Sequence, residues 1–119
     1  MAGRLLYEFM LVAQKRNGKA KWYGDNKQSN VIFIPKIIPS ADQHPTKKPI
    51  ALMKHFLRLH SEAGDVVLDP YLGSGVTAAA CEELGRQWIG AEIDPHWAAK
   101  ATERIARERE QMKLGLVTR

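Results

Sequence analysis

The chain is expected to be an α/β protein built on a parallel β-α-β-α unit, with a β-hairpin ahead of it. Three observations predict this. "VVLD" (66–69) and "QWIGAEI" (87–93) are short apolar runs of the buried-strand type. Between them "VTAAACEEL" reads as a helix closed by Gly85 at its C-terminal cap. After the second run, Asp94 can cap a helix with Pro95 at its first position, and Trp97, Ala101 and Ile105 recur on one face of it. Strands alternating with helices form right-handed crossovers, and such sheets bind ligands at the carboxyl ends of their strands.

The elements follow in order. "LLYEFMLVAQK" alternates, with Tyr7, Phe9 and Leu11 on one side and Glu8, Met10 and Val12 on the other, and reads as a strand that is apolar on most of both faces. Asn17-Gly18 is a hairpin signal. "KWYGDNKQSN" is a polar loop with two aromatic anchors, and "VIFI" is a second short strand stopped by Pro35. "PKIIPSADQHPTKKP" is too rich in proline for a regular element and reads as a connector. Pro49 suits the first turn of a helix, and Ile50, Met53, Phe56 and Leu57 carry that helix to about His60. "SEAGD" turns the chain into "VVLD".

The 119 residues suit one domain, with 1–43 as hairpin and basic loop and 44–119 as a ligand-binding part. A content of 45% hydrophobic and 26% charged residues fits a soluble globular chain. No apolar run reaches the roughly 20 residues of a membrane span. A single cysteine, Cys81, excludes an internal disulfide framework and points to a reducing cytoplasm. Cys81 follows Ala80 inside a helix and reads as core. The four histidines have no metal-ligand spacing with it.

The net charge of +5 is unevenly spread. Residues 1–60 hold 11 Lys and Arg against 3 Asp and Glu, whereas residues 61–119 hold 7 against 10. A basic first half suits a polyanion such as nucleic acid and equally suits a solvated surface. Within it, Lys15, Arg16, Lys19, Lys21 and Lys27 surround Trp22 and Tyr23. They could contact phosphates while the aromatics stack on a base, or form a solvated loop around two packed rings.

"VLDPYLGSG" carries the chemistry. Gly73 and Gly75 permit a sharp turn from strand to helix and leave room for a ligand at the backbone. The helix beyond offers unpaired N–H groups and the positive end of its dipole. Asp69 closes the first strand, and Glu92 closes the second about twenty residues later, where an acid can accept both hydroxyls of a ribose. The glycines alone would serve a plain turn; with Asp69 and Glu92 they describe a nucleoside pocket. Val76-Thr77-Ala78 breaks the dinucleotide pattern, and no Gly-Lys-Ser/Thr is present for a Walker loop. A carboxylate beside the turn disfavours pyrophosphate and suits a cationic cofactor such as S-adenosylmethionine.

On these residues, His44 to Ile105 resembles the C-terminal part of amino-methylating DNA methyltransferases, which methylate N6 of adenine or N4 of cytosine. "HPTKKP" is similar to that family's His-Pro-Thr-Gln-Lys-Pro, with Lys47 in place of Gln. "LDPYLGSGVT" is similar to its Leu-Asp-Pro-Phe-x-Gly-Ser-Gly-Thr-Thr, with Tyr71 for Phe and Val76 for Thr. "IGAEID" resembles its acidic strand end. The match is to the subgroup whose catalytic motif lies N-terminal to the cofactor motifs. The resemblance implies a partial Rossmann-like, S-adenosylmethionine-dependent fold and a restriction-modification setting. It implies that Asp69, Pro70, Gly73 and Gly75 line the methionine end of the cofactor, that Glu92 holds the ribose and that Ile93 packs near the adenine. Thr46 and Lys48 would complete the pocket from the proline-rich loop.

The family's catalytic tetrapeptide, Asp/Asn/Ser-Pro-Pro-aromatic, has no match in the sequence. Asp69-Pro70-Tyr71 leads into the glycine turn, and Asp94-Pro95-His96-Trp97 opens a helix. In the family the strand carrying that motif lies beside "VVLD". An edge left there invites association. The expected partners are therefore double-stranded DNA and either a chain carrying the catalytic motif or a second copy of this one. A truncated remnant, such as a prophage relic, and a non-catalytic module that binds DNA or cofactor are the alternatives.

Overall fold

The structure, a computed structural model, describes residues 7–15, 17–19, 21–35 and 48–115. Its elements run α1 (Ile50–His60), β1 (Val66–Asp69), α2 (Val76–Leu84), β2 (Gln87–Gly90) and α3 (Pro95–Lys113). β1 and β2 pair in parallel, with Val66 opposite Gln87 and Asp69 opposite Gly90. The β-α-β-α unit is therefore present, and α1 precedes it.

The two glycines that frame α2 take the left-handed backbone that side chains disfavour. Gly75 caps the N-terminus at φ 81°, and Gly85 caps the C-terminus at φ 71° with its N–H on the Cys81 and Glu82 carbonyls. Gly75 has a second reason to lack a side chain. A Cβ there would stand 3.1 Å from the Cα and Cβ of Ala101, so α3 can approach α2 only across a glycine. α2 packs on α1, α3 and β2, and it supplies most of the core. Ala78, Ala79, Ala80 and Cys81 are wholly buried, joined by Ala101 and Ile105 of α3. Small side chains on α2 let both neighbouring helices come close. Burial pushes the Cys81 thiol up to about 11, as suits a core residue.

α3 begins as its sequence dictates. The Asp94 carboxylate accepts the His96 N–H at 2.8 Å, and Pro95 occupies the first turn. α1 starts after Pro49 and has no side-chain cap. Its C-terminal end is instead clamped by Arg86. That guanidinium donates to Ser61 Oγ at 3.1 Å, to Ser61 O at 2.8 Å and to Leu84 O at 2.6 Å. One side chain thus satisfies carbonyls at the ends of α1 and α2. Between α1 and α2, Lys54 ion-pairs with the buried Glu83.

Two expectations change. Residues 7–15 and 31–35 carry no strand, although the Asn17-Gly18 turn forms, with Gly18 N–H on Lys15 O at 2.9 Å. A segment apolar on both faces holds strand form only between sheet neighbours and covering layers, and a lone hairpin is marginal in water. Among the described residues the sheet has only β1 and β2. The second strand is also shorter than 87–93. β2 ends at Gly90, because β1 ends at Asp69 and the ladder closes with the Ala91 N–H on Asp69 O. No helix among the described residues is long and apolar enough to cross a membrane.

Glu82 fastens the layers together. Its carboxylate accepts from Trp88 Nε1 of β2 at 2.9 Å and from Arg109 of α3 at 2.7 and 3.0 Å. Partial burial raises the pKa of Glu82, but these hydrogen bonds outweigh burial and hold it below the usual 4.5. A depressed carboxylate stabilises the fold above its unfolded pKa and loses that contribution as pH falls through the folded one. Arg109→Ala is accordingly expected to cost less than about 1 kcal/mol at pH 7, since the pair is largely exposed on the Arg109 side. The difference from wild type should vanish in urea melts well below pH 4.5, where Glu82 is protonated in both proteins.

Candidate cofactor-binding site

The carboxyl ends of β1 and β2 meet at one point, and hydrogen bonds across the gap hold them there. The Leu72 N–H donates to Ala91 O at 2.9 Å, which ties the glycine turn to the end of β2. Leu72 then lies over Gly90, where a Cβ would come within 2.8 Å of its side chain. Gly90 is thus small so that the turn can fold back onto the strand.

Glu92 completes the junction. One oxygen accepts the Gly73 N–H at 2.8 Å and the other accepts the Asp94 N–H at 2.9 Å. Its carboxylate therefore bridges the turn after β1 and the turn after β2. Gly73 itself sits at φ 56°, the left-handed region, which turns its N–H inward. Asp69 closes β1 beside the same turn, and its Oδ1 accepts the Tyr71 N–H at 2.9 Å. Both Glu92 oxygens and Asp69 Oδ1 each accept one backbone N–H and have a further lone pair to offer. The sequence reading joined Asp69, Gly73 and Glu92, and the structure brings them together.

The other expected residues fall around or away from this point. Pro70 and Ile93 lie at the rim, and Ile93 is 99% exposed, an apolar side chain with no cover. Gly75 is buried under Ala101, so its missing side chain serves the approach of α3. Lys48 ion-pairs with Glu8. Thr46 lies outside the described residues.

The basic segment is anchored on α1. The Tyr23 N–H donates to Leu59 O at 3.0 Å, and the Trp22 ring meets His60 edge-on with centroids 5.4 Å apart. Trp22 Nε1 also donates to Asp25 O at 3.3 Å. Lys21 pairs with Glu62 at 3.3 Å, and that hydrogen bond raises its pKa. Lys15, Lys19 and Lys27 are exposed. Arg16 is outside the described residues. Sequence reasoning missed Leu72, Gly90 and Arg86. Only the lone glycine inside "QWIGAEI" signalled any of them, as a mark of close backbone approach.

The family described as DNA methylase, of the N6/N4 methyltransferase type, matches residues 7–103. The chain belongs to this family. Among its relatives is a type II methyltransferase, M2.DpnII of Streptococcus pneumoniae, 31% identical over 116 residues, covering 87% of this chain and 43% of that protein. Another is the DNA adenine methyltransferase YhdJ of Escherichia coli (strain K12), 32% identical over 98 residues, covering 80% of this chain and 33% of that protein. The solved complex of M1.HpyAVI with SAM superposes with a TM-score of 0.61 at 36% identity, over 73% of this chain and 45% of that one. This DNA methylase chain thus spans less than half the length of the relatives it matches.

Glu92 should be the fastener of the junction even without ligand. Glu92→Ala is expected to speed amide hydrogen exchange at Gly73 and Asp94 at least ten-fold, with little change inside α2. Glu92→Gln, which keeps one acceptor oxygen, should release one of the two amides and spare the other.

Proposed function

We propose that this chain is the S-adenosylmethionine-binding portion of a site-specific DNA amino-methyltransferase acting on N6 of adenine or N4 of cytosine. The observation that carries the reading is the Glu92 carboxylate, fixed on the Gly73 N–H at 2.8 Å. It puts a ribose-accepting acid directly on the glycine turn, with Asp69 beside it. The residues suit the cofactor. Both carboxylates keep free lone pairs, for ribose hydroxyls at Glu92 and for cationic groups at Asp69. The uncovered Ile93 side chain offers an apolar surface to an adenine ring. Family membership and the SAM complex of a 36%-identical structure support the same assignment.

In this reading the cofactor supplies an electrophilic methyl group. Gly73 provides backbone space at the methionine end, with Asp69 and Pro70 beside it. Gly75 contributes by letting α3 seat the turn. The family resemblance would also give Lys48, and Thr46 outside the described residues, a part in the pocket. The exposed cations Lys15, Lys19 and Lys27, with Lys21 and Trp22, would face the DNA backbone in a cytoplasmic setting, and Arg16, outside the described residues, would add a further positive charge to the same segment. The absence of the Asp-Pro-Pro-Tyr type of tetrapeptide from the sequence favours a chain that binds cofactor without transferring its methyl group unaided. The reading has two forms: a chain that works with another carrying the tetrapeptide, and a non-catalytic module.

Titration calorimetry with S-adenosylmethionine tests the assignment. The wild-type chain should bind, and Glu92→Ala should weaken binding by about ten- to a hundred-fold, the worth of hydrogen bonds to a charged acceptor. A folded chain that binds nothing would overturn the reading. Labelled-methyl transfer to DNA should be absent for the chain alone.

A further inference from the structure

Where the basic segment crosses α1 it encloses a cleft of ≈ 530 Å³, within the roughly 300–1,000 Å³ of ligand pockets. The floor is one stripe of α1, on which Ala51, His55 and Arg58 recur at helical spacing. The walls are two limbs of segment 23–34, with Tyr23, Asp25 and Gln28 on the first and Phe33 on the second. Among the described residues it shares none with the junction of Asp69, Gly73 and Glu92.

Local structure holds the walls in place. Gly24 runs so close to α1 that a Cβ there would stand 2.7 Å from the Leu59 side chain and from the Trp22 ring. The Tyr23 N–H bond to Leu59 O fixes the same crossing. Beyond it, Asp25 Oδ1 accepts the Lys27 N–H at 2.9 Å, and Ser29 Oγ accepts the Val31 N–H at 3.0 Å. These two side-chain turns bring the second limb back to α1 and keep the limbs apart.

The lining divides chemically. Tyr23 and Phe33 offer aromatic surface, and Phe33 is 92% exposed, a ring with no cover among the described residues. Arg58 and His55, three residues apart, are neighbours on the helix surface and offer nitrogen donors. None of the ion pairs among the described residues involves Arg58. The Gln28 amide and the Asp25 carboxylate can meet the donors and acceptors at the edge of a flat heterocycle.

We propose that this cleft is a nucleotide subsite, in which an unstacked nucleobase lies against Tyr23 and Phe33 while Arg58, with His55 beside it, holds the phosphate. This rests on the DNA-binding part of the proposed function and is independent of the cofactor reading. A free nucleotide and one unit of a nucleic-acid strand share that chemistry. The strand is the favoured source, because the exposed Lys19, Lys21 and Lys27 of the same segment offer counter-charges to the neighbouring phosphates. Aromatic faces beside a cationic track suit a strand whose base is turned out of the stack.

The test measures binding of the full 119-residue chain to a short DNA duplex with one unpaired adenine, to the same duplex fully paired and to deoxyadenosine monophosphate. Fluorescence anisotropy should show about ten-fold tighter binding of the duplex with the unpaired base, the worth of one base stacked on an aromatic ring. Phe33→Ala should abolish that preference and leave helicity and the affinity for the paired duplex unchanged. Arg58→Gln should weaken the duplex with the unpaired base more than the paired one, and amide shifts on binding should include Gln28, Phe33 and His55. Equal binding of both duplexes, indifferent to Phe33→Ala, would overturn the subsite and leave the DNA reading standing. A folded chain that binds neither duplex nor the nucleotide would overturn both. Binding of deoxyadenosine monophosphate alone, lost in Phe33→Ala and Arg58→Gln, would sustain the cleft as a nucleotide site and refute the DNA reading.

Discussion

One carboxylate holds the site together. Glu92 gathers the Gly73 N–H and the Asp94 N–H, and so fixes the turn that follows β1 against the turn that follows β2. Both N–H groups sit where a helix is about to begin and where backbone donors have no partner within the helix. A single acid therefore satisfies two helix entrances and holds the pocket walls in register. Leu72 adds a backbone bond to Ala91 and a side chain over Gly90. Preorganisation of this sort lowers the cost of ordering a binding site when a ligand arrives.

Behind the junction, stability rests on α2. Its alanines and Cys81 are buried because α1 and α3 lie close on either side, and Gly75 removes the one side chain that would keep α3 away. Arg86 and Glu82 link the layer at its far end, the first through carbonyls of α1 and α2, the second through Trp88 and Arg109. The helix layer is complete on its own terms. The sheet is not, because among the described residues β1 has one strand neighbour and one covered face. A well-tied junction of strand ends and a bare sheet face coexist because they depend on different contacts: the first on loops and helix starts, the second on a covering layer that is absent among the described residues.

Local chemistry made much of this legible in the sequence. Gly85 at a helix end, Asp94-Pro95 at a helix start and the spacing from Asp69 to Glu92 each depend on a few adjacent residues or on a fixed repeat length. The β-hairpin around Asn17-Gly18 was read from equally sound local pattern, yet only its turn is present. Alternation says that a segment can be a strand, but strand form also needs a neighbour, and none among the described residues pairs with the segments of Phe9 and Phe33. The Arg86 clamp and the Leu72–Gly90 contact were illegible for a related reason: their partners are set by tertiary approach, which no periodicity encodes. The double role of Glu92 was half visible, since its place at a strand end suggested a ribose but not the bond to Gly73.

The central claim is that the junction of the two strand ends is where S-adenosylmethionine binds. Amide NMR during titration with S-adenosylmethionine tests it most directly. The account predicts the largest shift changes at Gly73, Glu92, Ile93 and Asp94, with Gly64 and Gly115 unmoved. Changes centred instead on the cleft beside α1, with Gly73 and Asp94 still, would contradict it.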